Sequence, residues 1–590
     1  MWRWSLHTGI ATEPVGAAGG LATQVLPRLE PRRTFQWSSS DRSASTVVAR
    51  GLTIAAIAVG VALRAWYVFH QPIGSDEAVV GLMVQQILHG HFTAFYWGQV
   101  YGGGEAYLVA PVFAVFGSSA GTLQVVPITL AAAAAIVTCR IARHLVASHA
   151  LAALAGAVVW VVPQSAVMNS TQELGFRGVT LLCGLSLVLV ALHIYEGQQT
   201  WPAFAGLGLL AGIGWWSSPE IIYYAVPAAW LVVAVIRDDP EVQRLRRWSS
   251  RLLVAVVAAV IGALPWVWAN INSGFRSLHP GSFAVPPNEP SYLGRLHIFF
   301  QFMLPMLFSF RAELTGAWLW FRPAIFVVIL LLALVGVNAV VLCLIRDVPS
   351  RALAVAVLLF PFLLAVSPAT WFWGDGRYAN LGVPLIVLVL LVGCEEVGQR
   401  GSCLGRLGAK RCHQGRVQRF TTIATMFTLL AFSVANFAAF MAPAASFFTG
   451  WTNPNGPSLV TVAELEAHHI RYAYADYWVA YKLDFLGDGR LQITTAGTDV
   501  DRWQAQHVAV RQAKSVAWLF TTPTGEPAAQ FGLTTSIQGP NGMSETQFLT
   551  ELVRLGVGYH VVQAGLVQAV IPDRRITYTE VGLVRTNVAA

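Results

Sequence analysis

The stretch LTIAAIAVGVALRAWYVFHQPIGSDEAVVGLMVQQILHG, residues 52–90, decides the fold class. It opens with an apolar run close to the roughly 20 residues that a helix needs to cross a hydrocarbon core. The run breaks at Gln71-Pro72, and Ser75, Asp76 and Glu77 follow at once. A membrane span therefore hands the chain to an acidic turn at the water boundary. The next segment, AVVGLMVQQILHG (78–90), repeats apolar residues at helical spacing and stops at Gly90, which predicts a helix lying along the membrane surface.

The rest of the chain repeats that opening motif of apolar runs. Of 590 residues, 55% are hydrophobic and only 12% charged, with a mean hydropathy of +0.56, which is not a soluble composition. Further apolar runs begin near Leu123, Leu151, Val179, Trp201, Ile221, Leu252, Ile325, Ala352, Leu381 and Ile423, predicting about 11 transmembrane helices with the first. Tyr107–Phe116 and Phe299–Phe310 are too short or too interrupted to span and suit interfacial or re-entrant helices.

Charge orients the bundle. The net charge is +8, but the basic residues lie between apolar runs and form no nucleic-acid-binding stripe, so no nucleic acid is expected as a partner. With the N-terminus inside, about 21 Lys and Arg fall in cytoplasmic segments, among them Arg140, Arg143, Arg244, Arg247, Arg346 and Arg411, against about six outside. The expected organisation is a flexible cytoplasmic tail (1–47), a transmembrane region (48–445) whose first outward loop is 70–121, and an extracytoplasmic α/β domain (446–590). Strand-like runs at 515–520 and 559–571 and an amphipathic helix at 545–555 support the last assignment. The charges of this outer domain are scattered, so it is expected to serve acceptor recognition while the chemistry stays in the membrane region.

The six cysteines form no disulfide framework, and Cys403, Cys412 and His413 lack a fourth ligand for zinc. The glycines at 206, 208, 212 and 214 lie inside an apolar run with no preceding strand, where small residues serve helix packing rather than nucleotide binding. Asp499 and Asp501 read as an ordinary polar turn.

The residues able to carry chemistry gather at the ends of spans on the outward side. Asp76 and Glu77 come first, then Glu105 after an aromatic and Gly-rich stretch, then Glu173 with Arg177, Glu220, and Asp375 with Arg377 and Tyr378. Transport or lipid flipping is the rival reading. It calls for charges near mid-bilayer and related halves, and apart from Arg64 the ionisable groups sit at span ends.

SDEAVVG (75–81), FYWGQVYGGGEAYLVAPVFAVFG (95–117), GIGWWSSP (212–219) and GRYANLGVPL (376–385) together resemble the polyprenyl-phosphate-sugar glycosyltransferases of the GT-C fold. That superfamily includes protein mannosyltransferases and the aminoarabinose transferase of lipid A. The resemblance covers roughly residues 48–445, and YADYWVAYKLDF (474–485) is similar to some bacterial members. It implies a multi-pass cell-membrane enzyme, bacterial in type, that moves a sugar from a polyprenyl-phosphate donor to an extracytoplasmic acceptor with inversion. It further implies that Asp76, with Glu77 beside it, is the catalytic base, that Arg377 and Tyr378 contact the donor phosphate, and that Glu105 is a ligand for a divalent metal ion. Many relatives carry a Lys/His-Pro-Pro motif where this chain reads GGGEAYL. The chemistry asks for the same groups independently: a carboxylate to take the acceptor's proton, and a cation to meet the charge on the departing phosphate.

Overall fold

The computed structural model describes residues 39–239, 244–279, 290–313, 316–319, 322–367, 376–404, 453–496, 501–521 and 539–583. The opening span forms α1 (Ser39–His70). It ends there because Gln71 precedes Pro72, whose ring disfavours helical geometry in the residue before it. The chain restarts as α2 (Ser75–Leu88), where the Glu77 carboxylate reaches back to accept the Gly74 N–H at 2.8 Å and satisfies one of the free donors of the helix start. A glycine turn then leads into α3 (Gly104–Phe116). Gly102 and Gly103 both have positive φ, 78° and 85°, and a Cβ on Gly103 would stand 2.8 Å from the Phe95 carbonyl carbon.

Every apolar run predicted to span is helical except the one near Ile423, which lies outside the described residues. Among the described residues, Thr46–His70, Ala120–Leu145, Arg177–Tyr195, Pro219–Asp238 and Gly376–Glu396 are long and apolar enough to cross a membrane. Arg247–Gly262 and Leu264–Ser273 form a further pair bent by 64°, and His149–Val161 and Val348–Leu364 are shorter apolar helices. The glycine-rich helix Trp201–Ser217 packs against Arg244–Gly262 as expected. Gly208 and Gly212 lie so close to the carbonyls of Ala255 and Ala259 that a Cβ on either would collide.

After the membrane part comes a five-stranded sheet in the order β2-β1-β3-β5-β4. Its strands are β1 (Tyr472–Tyr474), β2 (Gln492–Thr494), β3 (Ala517–Thr521), β4 (Tyr559–Ala564) and β5 (Val567–Pro572). The first three pair in parallel, while β4 and β5 form an antiparallel hairpin whose two-residue turn places Gly565 at φ 53°. The helix Tyr477–Leu486 follows β1, capped by the Asp476 side chain on the Trp478 N–H at 2.9 Å.

That helix covers one face of the segment predicted as a helix over 78–90, leaving its end, Leu88 to Gly90, exposed. Val79, Val80, Met83 and Val84 are fully buried in a core shared with Val479, Ala480, Leu483 and Phe485. Gly81 leaves room for the Phe485 ring, which also stacks on Phe113 at 6.3 Å. Removing these side chains from water welds the C-terminal region to the first loop.

Candidate active site

Asp76 sits in the first turn of α2, just beyond the end of α1. Its Oδ2 accepts a hydrogen bond from Arg377 Nη1 at 2.9 Å, and its Oδ1 accepts one from the Tyr477 hydroxyl at 2.5 Å. The Tyr96 hydroxyl donates to the Asp76 backbone carbonyl at 3.0 Å. Behind Tyr477 stands Arg502, whose Nε donates to the Tyr477 oxygen at 3.3 Å and whose Nη1 donates to the Trp97 carbonyl at 3.3 Å. Arg502 is fixed in turn by its backbone N–H on the Tyr481 oxygen at 2.6 Å, and its guanidinium lies 5.2 Å from the Tyr96 ring centre. Burial works against the Asp76 charge, but Arg377 and Arg502, with the bonds from Tyr477 and Arg377, outweigh it and hold the carboxyl below its ordinary value.

Arg377 belongs to a short turn, Gly376–Tyr378, that another buried carboxylate secures: Glu313 accepts the Gly376 N–H at 2.8 Å. Tyr378 receives the Arg177 guanidinium over its ring at 4.5 Å. Arg377 and Tyr378 are thus both held near the Asp76 end of the first span. Asp375 lies outside the described residues. Glu220 occupies a 3-10 turn and accepts the Ser218 hydroxyl at 3.3 Å.

Glu77 is one residue on, about 100° round the helix from Asp76. Only 2% exposed, it caps α2 and faces the buried Lys482 of the covering helix. Burial pushes Glu77 up to about 8, and burial lowers Lys482 to about 7.

Glu105 and Glu173 form a second cluster. Both are buried and hydrogen-bond to each other; Glu105 also accepts the Val179 N–H at 2.7 Å, and Glu173 the Gly175 N–H at 2.9 Å. Burial raises both carboxyls, and for Glu173 its partner's charge adds to the effect. Among the described residues no three His, Cys, Asp or Glu side chains converge on a metal position. For Glu105, the expected metal ligand, the described residues offer Glu173 as a neighbouring carboxylate and no third donor.

The sequence reading missed Tyr96, Tyr477, Lys482 and Arg502. It placed the C-terminal domain apart from the chemistry, yet Tyr477 and Arg502 from that region reach Asp76. The motif YADYWVAYKLDF contains Tyr477 and Lys482 and was the available signal; nothing in the sequence singles out Arg502. Of the two aspartates read as a polar turn, Asp499 lies outside the described residues, and Asp501 accepts the Trp503 N–H at 3.1 Å and stands 3.5 Å from His507 Nδ1.

No protein-family model and no curated protein matches the sequence. Among solved structures, the chain is similar to ArnT from Cupriavidus metallidurans in the apo state, with a TM-score of 0.56 and 12% identity over 89% of this chain and 98% of that one. The same protein bound to undecaprenyl phosphate gives a TM-score of 0.56 and 11% identity over 91% and 99%. The Archaeoglobus fulgidus oligosaccharyltransferase in the apo form follows at a TM-score of 0.45 and 12% identity, covering 82% of this chain and 71% of that one. The ArnT likeness establishes the fold: this is a multi-pass helical membrane protein of the GT-C type with a small C-terminal sheet region.

Proposed function

We propose that the protein is an inverting glycosyltransferase that takes a sugar from a polyprenyl-phosphate donor and passes it to a hydroxyl of an extracytoplasmic acceptor. The observation that carries this reading is the meeting of Asp76 and Arg377, both partly exposed, just beyond the end of the first apolar helix. In a fold shared with a protein that binds undecaprenyl phosphate, a lipid-phosphate donor is the natural substrate class.

The residues divide the work as the chemistry requires. Arg377, braced by Tyr378 and the Glu313-held turn, offers paired donors to the donor phosphate. Asp76 accepts the proton of the acceptor hydroxyl as that oxygen bonds to the anomeric carbon. The carbon–oxygen bond to phosphate breaks on the opposite face, and its electron pair leaves with the polyprenyl phosphate, whose charge Arg377 meets. Glu77, buried near Lys482 and accepting the Gly74 N–H, holds the start of the helix that carries Asp76.

Arg64, the charge within α1 that could favour a transporter, is accounted for by packing. It donates to the carbonyls of Trp160 at 2.9 Å and Gly60 at 3.1 Å, and its guanidinium stacks on the Trp160 ring at 3.4 Å. The bias of basic residues supports an orientation with the Asp76 side outside the cytoplasm.

The test is turnover by the purified protein with a panel of polyprenyl-phosphate sugars, scored as sugar transfer or slow donor hydrolysis. Asp76→Asn keeps the side-chain shape, so its rate is expected to fall by roughly 100-fold to 10,000-fold, as for loss of one acid or base catalyst. No turnover with any donor, alongside lipid transport in vesicles, overturns the proposal.

A further inference from the structure

The tie between Asp76 and the C-terminal region is polar and specific, and docking alone does not require it. The covering helix Tyr477–Leu486 is already held by Val479, Ala480, Leu483 and Phe485 against α2 and α3. At the helix's first residue, Tyr477 instead directs its hydroxyl to Oδ1 of Asp76, the carboxylate oxygen that Arg377 leaves free. Arg502 lies in a different segment, ahead of the helix Gln504–Gln512, and grips the Tyr477 oxygen from behind. Three further bonds anchor this arrangement: Arg502 Nη1 on the Trp97 carbonyl, the Arg502 N–H on Tyr481, and Tyr96 on the Asp76 carbonyl. The stacking of Trp97 on Trp503 at 4.8 Å closes the same seam between first loop and C-terminal region.

We infer that Tyr477 and Arg502 are positioning residues of the transfer reaction, so that the catalytic site is completed by the C-terminal region and is not a property of the membrane bundle alone. This rests on the proposal that Asp76 is the base. The physical need is specific. Arg377 is assigned to the donor phosphate, and once it turns to that phosphate, Asp76 Oδ2 loses its anchor. A carboxylate on a two-torsion side chain then swings unless a second group fixes it, and a misplaced base loses much of its catalytic effect. The Tyr477 hydroxyl supplies that fixed point at Oδ1, and a carboxylate oxygen has lone-pair sites enough to keep the phenol while accepting the acceptor's proton. Arg502 keeps the phenol in place and adds a positive charge beside the carboxylate, keeping Asp76 ionised when Arg377 is engaged elsewhere. No proton passes through Tyr477: its O–H stays a donor to Asp76 throughout.

The groups that face Asp76 are Arg377 from the Gly376–Tyr378 turn, Tyr477 from the covering helix, Arg502 from the segment before Gln504, Tyr96 from the first loop, and Glu77 on its own helix with Lys482 beyond it. Of these, Tyr477 and Arg502 can be changed without touching the donor-phosphate contact.

The experiment uses the full chain in detergent, with whichever polyprenyl-phosphate sugar the wild type turns over, and compares Tyr477→Phe, Arg502→Gln and Arg502→Lys. Tyr477→Phe and Arg502→Gln should each lower kcat by roughly 10-fold to 100-fold while the donor KM stays within about twofold, the pattern of an effect on the transition state. Both should move the acid limb of the kcat/KM profile to higher pH, because each removes a group that stabilises the ionised carboxylate. Arg502→Lys keeps the charge and should bring the limb back toward its wild-type position. A purely structural role predicts a lower Tm with kcat per folded molecule and the acid limb unchanged; that result, in either folded variant, overturns the inference. Should Asp76→Asn retain wild-type turnover, the base assignment falls and the positioning role falls with it. Loss of turnover in Asp76→Asn with unmoved limbs in the other variants refutes the positioning role alone.

Discussion

Replacing Asp76 by Asn should make the protein bind polyprenyl phosphate more tightly even as it slows turnover by roughly 100-fold to 10,000-fold. In the resting structure Asp76 occupies Arg377 at 2.9 Å, so a lipid phosphate must compete with an internal carboxylate for the same guanidinium. A hydrogen bond to a charged group contributes about 1.5–3 kcal/mol net. The two side chains are 22% and 19% exposed, so water screens part of this, and about 1–2 kcal/mol is a reasonable share for what the phosphate must displace. At about 1.4 kcal/mol per tenfold, Asp76→Asn should tighten binding roughly 5-fold to 30-fold. Titration of undecaprenyl phosphate into nanodisc-embedded protein, followed by tryptophan fluorescence or calorimetry, measures it. Removing any negative charge near an anionic ligand helps somewhat, so the cycle with Arg377→Gln is decisive: in that background the gain from Asp76→Asn should largely vanish. Equal or weaker binding by Asp76→Asn, or the same gain with and without Arg377, refutes the competition.

Glu105→Gln should keep the fold and most of the activity, since an amide can still hydrogen-bond Glu173 and accept the Val179 N–H, and added divalent cation should change nothing; cation-dependent rescue in a turnover assay would restore the metal reading. Gly81→Val places a branched side chain where the Phe485 ring lies and should cost about 1–3 kcal/mol of docking, seen as faster proteolytic release of the chain after about residue 450; unchanged protease resistance contradicts the shared core. Lys482 has a folded value of about 7 against an ordinary 10.5, so the stability it contributes is full above about 10.5 and is lost as pH falls through 7. Lys482→Met should accordingly raise Tm, relative to wild type, more at pH 6 than at pH 9, and a difference independent of pH in thermal melts counts against a buried, titrating Lys482. An impermeant thiol probe should label Thr546→Cys, an exposed position in the C-terminal region, in intact cells while sparing Cys403 and Cys412; the reverse pattern inverts the topology.

The membrane character, the helical runs and the gathering of acidic and basic residues at the ends of apolar runs follow from the sequence, because each rests on local quantities. A run such as 52–70 is apolar wherever it ends up, and Asp76 must follow it within a few residues. The packing role of Gly208 and Gly212 was legible for the same reason: inside an apolar run, a missing side chain has few other uses. The pairing of Asp76 with Arg377 was only half legible, since motif order places both at span ends while 301 residues of chain separate them.

What the tertiary structure alone decided is the state of each carboxylate. Asp76, Glu77 and Glu105 look alike in sequence, yet one meets two guanidiniums that favour its charged form, one is buried near a lysine and the third is buried against Glu173. These differences come from desolvation and from charges brought in by distant segments, and neither is written in the neighbouring residues. The same holds for Tyr477 and Arg502. Their part in the site depends on the covering helix burying Val79, Val80 and Met83 of α2, a long-range contact that turns a surface helix of the sequence into the wall of a site.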